Sequence, residues 1–335
     1  MFLFLSTTGG LSFLDQAEGK SSTTNREAMF YRKLDGRTVQ CLLCPRECVI
    51  GDGGRGFCRN RENQKGKLYT IVYGKPSVVD IGPIEKAPIY HFFPGHFRLC
   101  VTCASCNLRC KYCQNWHLSQ KSLEELPHYS YTPSEIVQQA RKENLHSISF
   151  TYTEPTVYYE YLYDISAIAR QSGIKTSIVS NGYMNREPLL QLLKVLDAVK
   201  IDLKGFSEKF YEEVCSASLK PVLESLITVK KAKVWLEIVN LVVPTLNDDP
   251  KMIEEMCRWI KVNLGVEVPI HFTRFFPNYQ LTHLPPYPCF NLRIRLRDCH
   301  SNWIAVCLYR KRSGSSQEFD LLPQLWSKDY LPYAF

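Results

Sequence analysis

The segment Cys106-Asn-Leu-Arg-Cys-Lys-Tyr-Cys113 places three cysteines at C-x3-C-x2-C spacing within one short loop. Iron–sulfur clusters are held by cysteine thiolates, and a cubane cluster offers four irons, so three protein ligands leave one iron open. An open coordination position at a metal site is where a substrate or cosubstrate binds. The spacing therefore predicts a [4Fe–4S] cluster with one reactive iron, bound by Cys106, Cys110 and Cys113.

A zinc ion is the alternative occupant of this loop. Structural zinc usually has four ligands, often supplied as C-x2-C pairs. Cys103 and Cys106 could form one such pair, with Cys110 and Cys113 as the other. We favour the three-thiolate cluster, and the sequence leaves the zinc alternative open.

A second group of cysteines lies nearer the amino terminus, as Cys41-x2-Cys44-x3-Cys48-x9-Cys58 among glycine-rich turns. Four thiols in a small region can fold around a metal that replaces a hydrophobic core. Four ligands indicate a closed site, either structural zinc or an auxiliary iron–sulfur cluster. The alternative is four cysteines that bind nothing. We lean towards the auxiliary cluster.

Several separate motifs, in order along the chain, carry a family resemblance. They are Cys41-Leu-Leu-Cys44-Pro, Pro83-Ile-Glu-Lys86, Tyr90-His-Phe-Phe-Pro-Gly95, Cys106-Asn-Leu-Arg-Cys110, Cys113-Gln-Asn115, Thr151-Tyr-Thr-Glu-Pro155 and Phe272-Thr-Arg-Phe275. The cysteine loop resembles the signature of the radical S-adenosylmethionine (SAM) superfamily. From about residue 28 to about residue 288 the chain resembles the AmmeMemoRadiSam system radical SAM enzymes, which are related to pyruvate formate-lyase activating enzymes.

The resemblance implies a function. The open iron would bind the methionine end of SAM, and an electron would cleave SAM reductively to methionine and a 5′-deoxyadenosyl radical. That radical would abstract hydrogen from an unidentified small-molecule or protein substrate. The implied electron source is a low-potential flavodoxin or ferredoxin. A glycyl-radical enzyme activase is one alternative, and a non-catalytic iron–sulfur or metal-binding protein is another, from a different class.

The resemblance also implies residues that contact SAM. Thr151, Thr153 and Glu154 correspond to the motif that receives the methionine ammonium, and Ser180 and Asn181 to a position near the ribose. Asp202 and Lys204 correspond to the carboxylate end of SAM, His271 to the adenosine, and Tyr112 to the adenine. Each has a structural alternative: a helix cap for Glu154, a turn for Asn181, and core packing for His271 and Tyr112. Cys100, Cys103, Cys215 and Cys257 are left out of the predicted site.

Between the motifs, short β-rich runs alternate with helical stripes, which indicates βαβ units and a parallel sheet. Thr132-Pro-Ser-Glu135 is a capping box that opens one of the helices. The core strands are predicted at residues 97–102, 147–153, 174–179, 198–203, 234–243 and 269–275. Six such strands predict an α/β fold, a partial (β/α)6 TIM-type barrel with a small Cys-rich amino-terminal appendage. In such barrels function lies at the carboxyl ends of the strands.

Composition narrows the kinds of partner and the cellular compartment that fit this protein. The formal net charge is +8, and the sequence has no block of basic residues that would indicate a surface for nucleic acid. No 18-residue apolar span indicates a membrane segment. Of fourteen cysteines, nine fall between positions 41 and 113, which is typical of metal ligation in a reducing compartment. We therefore expect a cytoplasmic protein.

Four regions are predicted along the chain. Residues 1–28 form a disordered tail or an export-signal remnant, residues 29–95 the Cys-rich region with a hairpin over 68–80, and residues 96–288 the barrel. From residue 289 the resemblance ends, and alternating apolar residues and arginines replace an expected helix. We predict that this divergent tail, residues 289–335, reflects a reading-frame change or poorly selected extension and is loosely packed.

Overall fold

The computed structural model describes residues 26–288 and the backbone of residues 306–309. Its strands are β1 Arg26–Glu27, β2 Tyr31–Lys33, β3 Val39–Cys41, β4 Val49–Ile50, β5 Arg61–Gln64, β6 Lys67–Thr70, β7 Val78–Pro83, β8 Phe97–Thr102, β9 Ser147–Phe150, β10 Lys175–Ser180, β11 Ala198–Asp202, β12 Trp235–Val242, β13 Ile270–Arg274 and β14 Val306–Tyr309. Its α-helices are α1 Trp116–Ser119, α2 Pro133–Lys142, α3 Tyr159–Gln171, α4 Arg186–Leu192, α5 Glu208–Phe210, α6 Lys220–Lys231 and α7 Pro250–Leu264.

The main sheet has the order β14-β13-β12-β11-β10-β9-β8-β7. Strands β8 to β14 pair in parallel with their neighbours, and β7 pairs antiparallel with β8 at the edge. The six predicted core strands are β8 to β13, and helices separate them in sequence. The predicted α/β fold with a partial barrel is therefore confirmed.

The two predicted tails lie largely outside the described residues. Inside them, Arg26–Glu27 pairs with β6, and Val306–Tyr309 adds a seventh parallel strand beside β13. The alternating segment that begins at residue 292 lies outside the described residues. Loose packing of residues 289–335 stays a prediction.

The amino-terminal region forms two small sheets, β2-β3-β4 and β1-β6-β5. The hairpin predicted over residues 68–80 is wrong, because β6 pairs with β5 and β7 pairs with β8. Strands β5 and β6 form a hairpin instead, and its turn falls at Lys65 and Gly66, whose φ angles are 55° and 83°. Two consecutive positive φ angles are what a two-residue type I′ turn requires.

The sequence predicted where one helix begins, and the structure confirms it. Thr132 and Glu135 form the predicted capping box at the start of α2. The sequence of residues 206–230 predicts a mostly helical segment, and the structure divides that segment into α5, a π-helix and α6. Residues Tyr211–Cys215 form a π-helix, and Ser216 takes a left-handed conformation with φ 54°. Helix α6 then restarts with Pro221 in its first turn, where proline is well tolerated.

Within the described residues, no helix has the length and apolar character needed to cross a membrane. The core is continuous between the sheet and the surrounding helices, and it includes the side chains of both amino-terminal sheets. Because the strands are parallel, their carboxyl ends share one edge of the barrel. The Cys106–Cys113 loop follows β8 at that edge.

Candidate functional site

Backbone contacts hold the cysteine loop in place. Ser105 begins the loop with a φ of 76°, and its N–H donates to Leu118 O at 3.0 Å. Farther along, Arg109 N–H donates to Cys215 O at 3.0 Å, and Lys111 N–H to Val214 O at 2.9 Å. The end of the π-helix therefore supplies carbonyl acceptors to the loop, because the chain turns away at the next residue.

The three loop thiols are free and lie close enough to affect one another. Burial raises the pKa of Cys106 well above its usual value, and the nearby Glu154 and Cys110 add to the shift. Burial likewise raises the pKa of Cys113, with Cys110 adding to it. Buried thiolates that repel one another need a positive partner. A cationic metal centre is such a partner, so the donor set fits an iron–sulfur cluster.

Polar groups contact the sulfurs directly. Leu108 N–H donates to Cys106 Sγ at 3.3 Å, and Cys113 Sγ lies 3.1 Å from Ser119 Oγ. Hydrogen bonds to cluster sulfurs tune the cluster and orient its ligands.

Cys103 is separated from this set. Its thiol is fully buried and donates to Val72 O at 3.8 Å. Burial alone raises its pKa, with no contribution from another cysteine. The pairing of Cys103 with Cys106 that a zinc site would require is therefore not what the geometry favours.

Glu154, just beyond β9, is a buried carboxylate with many donors. Its Oε1 accepts hydrogen bonds from Thr156 N at 3.0 Å, Thr156 Oγ1 at 2.7 Å and Ser180 Oγ at 2.8 Å. Its Oε2 accepts from Asn181 N at 2.8 Å. Glu154 thus caps the short 3-10 helix Pro155–Tyr158 and also binds the end of the next strand. Thr151 and Thr153 sit beside it, and Thr153 Oγ1 donates to Cys103 O at 2.7 Å.

Asn181 connects Glu154 to the cysteine loop. Its Nδ2 donates to Asn107 Oδ1 at 2.8 Å and lies 3.7 Å from Cys106 Sγ. Asn107 in turn donates from Nδ2 to Tyr183 O at 2.8 Å. The predicted residues Glu154, Ser180 and Asn181 are therefore one hydrogen-bonded network that reaches Cys106.

A charged group lies on the other side of the loop. Lys204 Nζ is 3.3 Å from Asp202 Oδ2 and 6.0 Å from the centre of the Tyr112 ring. Burial opposes the charge of Lys204, but Asp202 and then Cys110 raise its pKa well above its usual value. Lys204 is therefore a cation beside the cysteines, and Lys200 makes a second ion pair with Asp202.

His271 is not brought together with these residues. It lies near the amino-terminal end of β13, where its Nε2 is 2.8 Å from Glu237 Oε2. His91 and the backbone of Tyr90 meet the same carboxylate. Glu237 is the third residue of β12, so this group lies at the end of the barrel opposite the cysteine loop.

Two residues of the site, Asn107 and Cys215, were not predicted from the sequence. Cys215 stands far from the loop in sequence, yet its thiol hydrogen-bonds to Cys110 and lies 3.7 Å from Tyr112 Oη. Asn107 could have been noticed, because it directly follows the first loop cysteine. Cys215 is not next to any loop cysteine in the sequence, and it reaches the loop because it lies at the end of the π-helix.

The amino-terminal cysteines also meet. Cys41, Cys44, Cys48 and Cys58 line one cavity together with Arg61 and, from the cysteine loop, Asn107. Burial raises the pKa of Cys44 to about 12 and that of Cys58 to about 11, and neighbouring cysteines add to both shifts.

The fold and site define a class: a partial barrel with a cysteine loop and a polar network at the carboxyl ends of its strands. A family model described as "Radical SAM superfamily" matches residues 101–260. The chain is 47% identical over 269 residues to the uncharacterized protein MJ0808 of Methanocaldococcus jannaschii, with 80% of each chain covered. It is 27% identical over 216 residues to the pyruvate formate-lyase-activating enzyme of Clostridium pasteurianum, covering 61% of this chain and 84% of that protein.

Among solved structures, a radical SAM methyltransferase from Sphaerobacter thermophilus has a similar fold. The TM-score is 0.52 at 14% identity, with 67% of this chain and 68% of that chain covered. The chain belongs to the radical SAM superfamily, whose members are enzymes.

Proposed function

We propose that this protein binds a [4Fe–4S] cluster through Cys106, Cys110 and Cys113 and cleaves SAM reductively to abstract hydrogen from a substrate. The observation that carries the proposal is the grouping of these three free thiols, apart from Cys103, at the carboxyl edge of the barrel. When bound, the cluster supplies the low-potential electron that the sulfonium of SAM requires. The protein supplies placement and exclusion of water.

The side chains around the loop suit the two charged ends of the methionine part of SAM. Lys204, held by Asp202, offers a cation for the carboxylate. Glu154 Oε2 accepts one hydrogen bond among the described residues, from Asn181 N–H. It therefore keeps acceptor capacity for the ammonium. Tyr112, which stacks on Phe210 at 6.3 Å, and Ser180 complete the proposed SAM contacts. His271 is left out of this set because its contacts lie at the other end of the barrel.

The proposal includes an electron donor and a location. Radical SAM enzymes commonly take electrons from flavodoxin or ferredoxin, and we propose a donor of that type here. A cluster held by thiolates requires a reducing compartment, so we place the protein in the cytoplasm. We also propose that the amino-terminal cysteines form a second metal centre.

Anaerobic reconstitution followed by product analysis tests the central proposal. The holoprotein with SAM and dithionite should release 5′-deoxyadenosine and methionine. The triple variant C106A/C110A/C113A should lose the product and the loop cluster. Cys103→Ala is the matched control, since its thiol faces Val72 rather than the loop cysteines. Product formation by the triple variant, or equal loss in the control, would refute the ligand assignment.

A glycyl-radical activase is the second candidate, supported by the similarity to the pyruvate formate-lyase-activating enzyme. Such an enzyme would abstract hydrogen from the backbone of a partner protein. Mixing the holoprotein, SAM and reductant with a candidate glycyl-radical enzyme should then produce a persistent glycyl signal in electron paramagnetic resonance (EPR). SAM cleavage without such a signal would favour another substrate.

A further inference from the structure

Each thiol of the amino-terminal group accepts a hydrogen bond from an N–H donor. Cys44 accepts from the backbone of Arg46 and Cys58 from the backbone of Asn60. Phe57 N–H donates to Cys48 Sγ at 3.4 Å. The fourth donor is the buried guanidinium of Arg61, whose Nη1 lies 3.7 Å from Cys41 Sγ. N–H donors on every sulfur are typical of thiolates that ligate a metal.

The same donor pattern occurs in the cysteine loop. Cys44 and Cys58 accept from the residue two positions later, as Cys106 does from Leu108 and Cys113 from Asn115. In both groups, therefore, a cysteine sulfur accepts a hydrogen bond from the backbone N–H two residues later. Unlike the loop, the amino-terminal group has four thiols around one cavity, so every iron of a cubane would have a protein ligand.

The spacing of the sulfurs distinguishes a cluster from zinc. A tetrahedral zinc with Zn–S distances of about 2.3 Å holds its sulfurs roughly 3.8 Å apart. Among the described residues, the set of three potential ligands that meets within 4.8 Å is His91, Glu237 and His271, and no three cysteines do so. The thiols thus surround a shared cavity at a spacing wider than a single zinc ion needs.

The amino-terminal group is also joined to the cysteine loop. Arg46 Nε donates to Asn107 O at 2.8 Å, and Arg109 Nη2 donates to Phe57 O at 2.7 Å. Both guanidinium groups lie over the Phe57 ring, at 3.6 Å and 4.0 Å from its centre. Asn60 adds a hydrogen bond from Nδ2 to Ala104 O at 2.7 Å. Phe57 and Asn60 flank Cys58, so a centre at these cysteines would hold the residues that brace the loop.

We propose that Cys41, Cys44, Cys48 and Cys58 bind a second, fully ligated iron–sulfur cluster that stabilises the conformation of the Cys106–Cys113 loop. The cluster has no open iron, so SAM does not bind to it. Its structural role follows from the contacts of Arg46, Phe57 and Arg109, which link the two cysteine groups. The proposal stands apart from SAM cleavage, because it concerns a site that SAM does not reach.

Metal analysis of the full chain after anaerobic reconstitution tests the site. The variant C106A/C110A/C113A should retain about four irons and four sulfides. Its reduced EPR spectrum should not change when SAM is added, because no iron is open. Iron below one per chain would overturn the proposal, as would one zinc in place of iron. These results do not depend on whether the wild-type protein cleaves SAM.

Hydrogen exchange tests the bracing role. In C44A/C48A the peptide that covers residues 104–113 should exchange roughly tenfold faster, since loop contacts worth about 1 kcal/mol each are lost. Cys100→Ala is the control: Cys100 is buried in β8 beside Thr102, outside both groups, and it should keep both clusters and slow exchange. Unchanged exchange in a folded C44A/C48A protein that lacks the second cluster would overturn the bracing role. If that variant does not fold, exchange of the wild-type apoprotein and holoprotein provides the same comparison.

Discussion

The buried ion pair between Arg61 and Glu160 leads to a quantitative prediction. Both side chains are 1% exposed, and they join β5 of the amino-terminal region to helix α3 of the barrel. Glu160 Oε1 also accepts from Met29 N at 2.7 Å. Removing one partner of a buried pair leaves an uncompensated charge, at a cost of about 3–5 kcal/mol. The variant Glu160→Gln does this while it preserves the shape of the side chain.

The magnitude can be compared within the chain. Glu254 and Arg258 form an ion pair at 2.6 Å whose side chains are 48% and 61% exposed. Water screens such a pair, so Glu254→Gln should cost less than about 1 kcal/mol. At about 2.1 cal/mol/K of unfolding entropy per residue, 3 kcal/mol corresponds in a chain of this size to a decrease in Tm of roughly 4–6 °C. The same chemical change should therefore have a several-fold larger effect at the buried site.

Thermal unfolding followed by circular dichroism, with metal content held constant, measures both variants. A third variant, R61M/E160M, removes both charges. Arg61 Nε and Glu160 Oε2 have no hydrogen-bond partner among the described residues, so an apolar pair should recover most of the lost stability. The reasoning fails if E160Q and E254Q lower Tm equally. It also fails if R61M/E160M is less stable than E160Q, as it would be if the costs of the two substitutions simply added.

Three further predictions concern other parts of the structure. Burial opposes the ionised form of Glu237, but His271 and His91 lower the pKa of this carboxyl far below its usual value. The ionised carboxylate therefore stabilises the fold above about pH 4.3, and this stabilisation is lost as pH falls. Glu237→Gln should lower Tm at pH 7, and the Tm of the variant should decrease less than that of the wild type between about pH 5 and 3. Curves of Tm against pH that run parallel for the two proteins would contradict this. In Gly205→Ala, a Cβ would lie 2.7 Å from Cδ1 of Phe210, so overpacking should cost about 1–3 kcal/mol in chemical denaturation. Cys215→Ala should keep the iron of the loop cluster, because three loop thiols suffice, and loss of that iron would identify Cys215 as a ligand.

The predicted fold agrees with the structure wherever local patterns carry strong information. Alternating apolar strands and helical stripes, with turn residues between them, predicted β8 to β13 in the observed order. The capping box at Thr132 and Glu135 predicted the start of α2 within one residue. These features depend on neighbours within a few positions, so the sequence contains all the information needed to recognise them.

The hairpin and the divided helix were missed for the opposite reason. The apolar alternation over residues 68–80 suits several partners, and the positive φ angles at Lys65 and Gly66 identify the turn only once the pairing is known. Residues 206–230 are mostly helix-forming in sequence. At the break before Ser216, the carbonyls of Val214 and Cys215 accept N–H donors from the cysteine loop, a partner about 100 residues away that no local pattern shows.

For the site, the sequence by itself determined the donor chemistry: three thiols in one short loop, four more near the amino terminus, and polar residues at the ends of parallel strands. Which side chains meet was decided only by the tertiary structure. Strand register and the π-helix bring Glu154, Asn181 and Cys215 to the loop, whereas His271 lies on the other end of its strand beside Glu237. The physical reason is that ligand spacing within a loop is a local property of the chain. Contacts between strands depend on register and burial, which are properties of the whole fold.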